Sequence, residues 1–183
     1  ENWRRPAQEV GLLMDLFLTA LQREAKRLQR NNVRLRVIGD RSAFSAKLQD
    51  GIAAAESLTA GNDALLLQIA ANYGGRWDVA QAARRLAQQV ADGRMRPEEV
   101  NEVALADALS FPDIPDPDLY IRTGGERRLS NFLLWQAAYS ELYFTATLWP
   151  DFDAAAFDQA LEDFARRQRR FGMIGEQVQP VKA

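Results

Sequence analysis

The sequence contains no cysteine and no histidine among its 183 residues. Without cysteine the chain can form no disulfide, no thiolate nucleophile and no zinc–thiolate site. Without histidine it lacks the side chain that most often serves as a general base near neutral pH and that most often binds metal ions. Any chemistry that the chain performs must therefore use carboxylates, cationic side chains and backbone groups.

Long apolar runs and a strong excess of charge are also absent. No stretch approaches the roughly 20 apolar residues of a membrane helix, and no charged-then-apolar leader opens the chain. The net charge of -2 gives no general attraction to nucleic acid. Basic residues do cluster at positions 23–36 and 166–170, a pattern typical of solvated helix faces. We expect a soluble, cytoplasmic protein that binds no nucleic acid.

Helix-like and strand-like hydrophobic periods alternate along the chain. The predicted helices cover residues 6–29, 45–58, 78–93, a stretch from 97, 130–139 and 153–169. The predicted strands cover residues 33–40, the start of 64–75, 119–125 and 141–150. These strands are too apolar to have one wet face, which is typical of a parallel sheet covered on both sides. The sequence predicts an α/β fold with a central parallel sheet flanked by helices, in one domain of residues 1–183 with a flexible tail at 173–183.

Two Gly-Gly pairs directly follow predicted strands, in NYGGR at 72–76 and in RTGGERR at 122–128. Ligands of parallel sheets bind at the carboxyl ends of the strands. Ser130 is a natural N-cap for the next helix, so we expect backbone N–H groups, a hydroxyl and arginines to converge there. Arginine pairs with phosphate oxygens in a planar, bidentate manner, which favours a phosphate or diphosphate ligand. An ordinary helix cap with surface arginines is the alternative.

The first predicted helix carries more apolar residues than one contact with a sheet requires. One side has Val10, Leu13, Met14, Phe17 and Leu21, and the other sides have Leu12, Leu16, Leu18 and Ala20. The surplus indicates a second buried surface. Burial in the core, a subunit contact and the wall of an apolar cavity would each account for it.

Several long motifs in the chain resemble those of the bacterial cis-prenyltransferases, in particular the members that make undecaprenyl diphosphate. They are ENWRRP, NYGGRWD, DLYIRTGGERRLSNFLLWQAAYSELYFTATLWPDF and RRFG, in this order and spacing. The family begins with a strand and a phosphate-binding loop of the type MDGNGRWA, which has no counterpart here. The resemblance therefore implies that the portion with the catalytic aspartate is missing from this sequence. We expect residues 1–183 by themselves to be inactive.

The resemblance implies a transferase that condenses isopentenyl diphosphate onto an allylic primer, farnesyl diphosphate, with Mg²⁺ as cofactor. Its product would be undecaprenyl diphosphate, the lipid carrier for cell-wall synthesis, delivered to the membrane by an enzyme peripheral to its inner face. A symmetric homodimer is implied as well. The excess of aromatic residues at 132–152 supports an interface independently. The alternatives are a non-catalytic subunit of a heteromeric prenyltransferase and a generic phosphate-ester enzyme, although the chain has no GxxxxGK[ST] nucleotide loop.

The resemblance also assigns roles to individual residues at the diphosphate sites. The residues implied to bind substrate are Trp3, Arg5, Arg122, Arg128, Leu129, Ser130, Arg170 and Gly172, the last two across the dimer interface. Asn2 matches a catalytic loop residue, and because a neutral amide is a very weak base we favour a role in orienting substrate. Glu141 matches a magnesium ligand. Arg127 stands where some relatives carry a histidine near the metal, and an arginine cannot ligate a cation.

A hydrophobic tunnel for the growing chain is the last implied feature. Its predicted lining is Leu13, Leu16, Phe17 and Ala20 on the first helix and Leu65 and Leu67 on the second strand. Leu65 is the residue that we expect to close the tunnel floor.

Overall fold

The computed structural model of the protein describes residues 7–167. Its helices are α1 Ala7–Arg30, α2 Ala46–Thr59, α3 Gly75–Ala91, α4 Glu102–Ala108 and α5 Ala154–Arg166. Its strands are β1 Val33–Ile38, β2 Leu65–Ala70, β3 Leu119–Arg122 and β4 Glu141–Phe144. Short 3₁₀ turns lie at Arg41–Ala43, Pro97–Glu99, Gln136–Tyr139 and Trp149–Asp151. The chain divides into two compact units between Gly74 and Gly75.

The first unit is built on a parallel pair of strands joined through α2. β1 pairs with β2 from Val33 opposite Leu65 to Ile38 opposite Ala70. Because opposite residues of parallel strands share a face, Leu35 and Val37 lie on the same face as Leu67 and Ile69. Helices α1 and α2 cover part of this face, and the core contains Leu18, Leu21, Ala25, Leu35, Val37, Phe44, Leu48, Ile52 and Ala55.

The edge of β1 that faces away from β2 is satisfied by side chains of α2. The hydroxyl of Thr59 accepts a hydrogen bond from the N–H of Leu35 at 3.0 Å. The carboxylate of Glu56 accepts from the N–H of Val37 at 2.7 Å and pairs with Arg41. Unpaired backbone groups on an exposed strand edge favour association with other strands. The side chains of Thr59 and Glu56 occupy two of these groups on β1.

The apolar surplus of α1 is present, but it is distributed differently from the prediction. Leu12 and Leu16, which were expected on a second buried surface, are exposed, whereas Leu18 is buried and belongs to the core. Leu13, expected in the core stripe, is exposed. The buried face of the helix is therefore formed by Leu18, Leu21 and Ala25.

Strand β2 was expected to be buried, and this expectation is wrong for its first half. Leu65 is 59% exposed and Leu67 is 37% exposed. They lie on the face that carries α1 and α2, where the described helices cover the neighbouring residues of β1 instead. This part of the sheet face is thus apolar and uncovered within the first unit.

The second unit also contains a parallel pair, in which β3 pairs with β4 from Leu119 opposite Glu141 to Arg122 opposite Phe144. The predicted parallel pairing is therefore confirmed, and the described strands form two separate two-stranded sheets. Asp153, at which the last predicted helix begins, caps α5, since its side chain accepts a hydrogen bond from the N–H of Ala156. No helix within residues 7–167 is long and apolar enough to cross a membrane.

The predicted helix at residues 130–139 is wrong. Ser130, Asn131 and Leu133 have φ angles of 48°, 63° and 50°, which an α-helix cannot contain. Only the 3₁₀ turn Gln136–Tyr139 forms in this stretch.

Two other helices begin at different residues from those predicted. Helix α3 starts at Gly75 rather than at residue 78. Helix α4 starts at Glu102, where the side chain of Asn101 caps its first turn, and the expected start near Pro97 is a 3₁₀ turn.

Candidate functional site

Two arginines of the RTGGERR stretch meet beyond the carboxyl end of β3. Arg122 is the last residue of the strand, and its Nη1 donates to the hydroxyl of Ser130 at 2.7 Å. The Nε of Arg128 donates to the same hydroxyl at 3.1 Å. Nη1 of Arg122 also donates to the carbonyl of Arg128. Ser130 thus holds both guanidinium groups beside one another, as the sequence predicted.

Glu126 completes this cluster. Its Oε2 accepts a hydrogen bond from Nη2 of Arg122 at 2.7 Å, and Nη2 of Arg128 pairs with the same oxygen. Both guanidinium groups therefore point at one anionic oxygen. Sequence reasoning missed Glu126, although an acidic residue set between arginines is a signal that could have identified it.

The Gly-Gly pair contributes to the fold of this site and not to an anion site of backbone N–H groups. Gly124 and Gly125 have φ angles of 85° and 78°, in the left-handed region that favours glycine. Their N–H groups donate to the carbonyls of Thr147 and Thr145, both at 2.9 Å. No helix starts at Ser130 either, so the expected helix N-terminus is absent, and the N–H groups of both glycines already have carbonyl partners.

Asn131 links this loop to the other glycine motif. Its backbone carbonyl accepts from the N–H of Gly75 at 2.7 Å, and its side-chain oxygen accepts from the N–H of Arg76 at 2.9 Å. A Cβ on Gly75 would lie 2.7 Å from Cγ of Leu134, so glycine is required for this close approach. Asn131, which directly follows Ser130, therefore caps α3 and connects the loop to the first turn of this helix.

Leu129 enters the site through its backbone. Its carbonyl accepts a hydrogen bond from the phenol of Tyr120 at 3.2 Å. Burial raises the pKa of Tyr120, and the charge of Arg122 opposes this shift. The phenol therefore stays protonated near neutral pH and keeps its role as a donor.

Glu141 does not lie with the arginines. It is the first residue of β4, opposite Leu119, whereas Arg122 is opposite Phe144 at the other end of the pair. Three residues along a strand correspond to about 10 Å. The structure thus separates two groups that the sequence analysis associated with one reaction centre.

The carboxylate of Glu141 is paired with a cation. Its Oε2 accepts from Nη1 of Arg167 at 2.9 Å, and Arg167 also donates to Asp163 at 2.5 Å. The hydrogen bonds that Arg167 donates to Glu141 and Asp163 raise the pKa of Arg167. Between residues 7 and 167 no group of three or more histidine, cysteine or acidic side chains is arranged to hold a metal ion. The described residues therefore do not form a magnesium site by themselves.

The remaining predicted residues fall into three groups. Arg127 is exposed and makes no ion pair within the described part of the chain. The predicted tunnel residues lie in the first unit, with Phe17 packed on the edge of the core and Leu13, Leu16, Leu65 and Leu67 exposed. Asn2, Trp3, Arg5, Arg170 and Gly172 lie outside the described residues.

An open apolar groove of about 710 Å³ lies elsewhere in the second unit. Helix α3 contributes Leu86 and Val90 to its lining, which also includes Val100, Leu105 and Trp135. None of the predicted substrate-binding residues lines this groove. We therefore place the candidate site at the arginine cluster and not in this groove.

The family model and similar curated proteins both assign the chain to one family. The family model for undecaprenyl diphosphate synthases matches residues 1–172. The ditrans,polycis-undecaprenyl-diphosphate synthase ((2E,6E)-farnesyl-diphosphate specific) of Pseudomonas putida is 60% identical over 179 residues, which are 98% of this chain and 71% of that protein. The synthase of the same description from Shewanella oneidensis is 57% identical over 183 residues, which are 100% of this chain and 66% of that protein.

Two solved structures are similar to this one. Lavandulyl diphosphate synthase from Lavandula x intermedia, in complex with dimethylallyl diphosphate, matches with a TM-score of 0.88 and 39% identity. That match covers 93% of this chain and 74% of the other. A probable undecaprenyl diphosphate synthase from Campylobacter jejuni matches with a TM-score of 0.83 and 38% identity, over 93% of this chain and 78% of the other. The α/β fold predicted from the sequence is thereby confirmed.

The cap provided by Asn131 leads to a prediction about stability. Asn131→Ala removes the acceptor for the N–H of Arg76 and places alanine at a φ of 63°, so we expect a loss of about 1 to 2 kcal/mol. Asn131→Asp keeps an acceptor and tolerates this backbone, and we expect it to stay within about 0.5 kcal/mol of the wild type. Urea unfolding of the intact protein measures both. Equal losses in the two variants would show that Asn131 does not act as a cap.

Proposed function

Because the chain belongs to the undecaprenyl diphosphate synthase family, we propose that the intact protein condenses isopentenyl diphosphate units onto farnesyl diphosphate to make undecaprenyl diphosphate. The observation that carries this proposal is the convergence of Arg122 and Arg128 on one anionic oxygen at the end of β3. A non-catalytic subunit of a heteromeric prenyltransferase would have no need of such a cluster. The organised arginines and Ser130 favour the enzyme.

The reaction requires that diphosphate groups be held and one of them released. The bond from the allylic carbon to the diphosphate oxygen breaks, a new carbon–carbon bond forms to the alkene of isopentenyl diphosphate, and a proton is lost. We assign the diphosphate of isopentenyl diphosphate to Arg122, Arg128 and Ser130. Charged hydrogen bonds of this kind contribute roughly 1.5 to 3 kcal/mol each. These residues bind and orient the nucleophilic substrate, and they take no proton.

The other substrate residues are proposed from the family resemblance alone. Asn2 would orient the reactants beside the allylic substrate, with Trp3 and Arg5 next to it. Arg170 and Gly172 would reach the diphosphate from the partner subunit. Leu129 contributes through its position between the two residues that contact the diphosphate.

Magnesium is proposed as the cofactor, with Glu141 as one carboxylate ligand. In the described residues Glu141 is held by Arg167, so the ion would need its other ligands from diphosphate oxygens, water or further residues. A bound Mg²⁺ would stabilise the charge of the leaving diphosphate. Because the described residues do not complete such a site, we assign no geometry to it.

A symmetric homodimer is proposed from the exposed aromatic and apolar residues of the second unit. Tyr139 and Trp149 are about three-quarters exposed, at 74% and 75%. Phe132, Leu142, Leu148 and Leu161 are exposed as well. Exposed aromatic residues in such numbers are typical of interfaces. A second copy of the chain is the partner that the family resemblance implies.

We propose a cytoplasmic enzyme that acts at the inner face of the membrane, where its product enters cell-wall synthesis. The product has a long hydrocarbon tail and must pass to a bilayer. The exposed apolar residues of α1 and β2 are the surface that we assign to this tail, as the wall of a tunnel. Leu13, Leu16, Leu65 and Leu67 share this role with Phe17 and Ala20.

The function is tested with labelled isopentenyl diphosphate and farnesyl diphosphate supplied to the intact protein. Formation of a long cis-polyprenyl diphosphate supports the proposal, and the absence of any elongated product contradicts it. Sedimentation of the same preparation reports whether the active species is a dimer.

Substitutions at the three arginines test the substrate site. Arg122→Ala and Arg128→Ala each remove a guanidinium group from the cluster, so we expect the KM for isopentenyl diphosphate to rise at least about tenfold. Arg127→Ala is the matched control, because Arg127 is exposed and unpaired in the described chain, and we expect less than about a twofold change. Similar kinetic effects at all three positions would show that the cluster is an ordinary charged surface.

The tunnel assignment predicts product lengths. Leu65→Ala should open space at the floor and give longer products, whereas Ala20→Leu should narrow the wall and give shorter ones. Since Leu65 is 59% exposed, its truncation should change the free energy of unfolding by less than about 0.5 kcal/mol. Chromatography of the products and a melting curve measure the two effects. An unchanged length distribution in both variants would remove the tunnel assignment.

Metal removal tests the cofactor. We expect EDTA to abolish turnover and Mg²⁺ to restore it. Glu141→Gln should raise the Mg²⁺ concentration needed for half-maximal activity, because an amide binds Mg²⁺ more weakly than a carboxylate. Glu162→Gln, which alters an exposed glutamate paired with Arg166, is the control and should leave that concentration unchanged. Full activity in EDTA, or an unshifted requirement in Glu141→Gln, would contradict the assignment.

A further inference from the structure

Glu126 has a position in the arginine cluster that the proposed reaction does not explain. Its Oε2 accepts from Arg122 at 2.7 Å and also pairs with Arg128. A carboxylate oxygen thus stands at the point on which both guanidinium groups converge, which is the place we assign to an oxygen of the diphosphate.

We infer that Glu126 is an internal counter-ion that occupies the arginine pair and is displaced when the diphosphate of isopentenyl diphosphate binds. This inference rests on the proposed function and assigns a further residue to its substrate site. Glu126 would position the arginines before binding and would compete with the substrate for them.

The anchoring of the three side chains supports this order of events. The side chain of Arg122 is only 21% exposed, and Arg122 also bonds to Ser130 and to the carbonyl of Arg128. The side chain of Glu126 is 43% exposed and lies on the turn after Gly124 and Gly125. Glu126 can therefore leave the cluster for solvent while Arg122 stays in place.

Electrostatics explain both the presence of Glu126 and its displacement. Two guanidinium groups that share one hydroxyl repel each other, and a carboxylate between them offsets this repulsion. The Arg128–Glu126 pair is largely exposed and the Glu126 carboxylate is 43% exposed, so water can solvate Glu126 once it leaves and offsets part of the lost pairing. A diphosphate carries more negative charge and more acceptor oxygens than one carboxylate, and it can satisfy both arginines at once. The diphosphate therefore replaces Glu126, and a singly charged anion has no such advantage.

The test measures binding of inorganic pyrophosphate to the intact protein by calorimetry. Glu126→Gln keeps the size of the side chain and one acceptor oxygen but removes the competing charge. We expect its Kd for pyrophosphate to fall about 3- to 10-fold, with the KM for isopentenyl diphosphate falling and kcat nearly unchanged. The difference from the wild type should shrink at high salt, because screening weakens the competing ion pairs.

Glu99→Gln is the matched control. The side chain of Glu99 is 45% exposed and pairs with Arg96 at 3.0 Å, so this variant also removes an exposed glutamate from an arginine. We expect its Kd for pyrophosphate to match that of the wild type within about twofold. Glu126→Ala, tested beside Glu126→Gln with a melting curve for each, should change the Kd in the same direction and guards against a folding defect in one variant.

The outcomes separate this inference from the function on which it rests. Equal or weaker pyrophosphate binding by folded Glu126→Gln and Glu126→Ala overturns the counter-ion role. Even then, the assignment of the substrate site remains supported if the wild type binds pyrophosphate and Arg122→Ala does not. If the wild type fails to bind, or Arg122→Ala binds equally well, both the site and the inference are wrong.

Discussion

The candidate site in the second unit depends on two guanidinium groups that point at one anionic oxygen. Arginines repel each other, so their convergence has to be imposed by groups around them. The hydroxyl of Ser130 accepts from both, and the carboxylate of Glu126 lies between them. Strand β3 fixes the cluster in space, because Arg122 is its last residue and pairs with Phe144 of β4.

The rest of the loop serves to keep this cluster at the strand end. Gly124 and Gly125 adopt left-handed backbone and continue the hydrogen bonding to the segment after β4, through Thr147 and Thr145. Asn131 ties the far side of the loop to the start of α3. A diphosphate would thus meet side chains that are held from both sides, which reduces the entropy lost on binding.

Much of the fold could be predicted from the sequence, and the reasons are local. Apolar runs identified all four described strands, and the helices predicted from residues 45 and 153 begin there, with Ser45 and Asp153 as their N-caps. The loop after β3 could not be predicted, because Ser130 has the chemistry of an N-cap and only its φ angle shows that no helix follows. The exposure of Leu65 was missed as well, since hydropathy does not tell which apolar residues are covered by a neighbour.

The candidate site was predicted in part. Arg122, Arg128 and Ser130 meet as expected, because a strand end and a short loop bring residues of one stretch together. The prediction did not include Glu126, because it considered only the cationic side chains and the hydroxyl as ligands of an anion. Glu141 was associated with the same centre, but it is the first residue of β4 whereas Arg122 is the last residue of β3, so the parallel pairing places them at opposite ends of the strand pair.

A crystal structure of the intact protein with isopentenyl diphosphate tests the central claim most directly. We predict that the diphosphate oxygens lie within hydrogen-bonding distance, about 2.7 to 3.1 Å, of the guanidinium groups of Arg122 and Arg128 and of the hydroxyl of Ser130. We also predict that Glu126 has left the cluster. A diphosphate bound elsewhere, with the Arg122–Glu126–Arg128 contacts intact, would contradict the account.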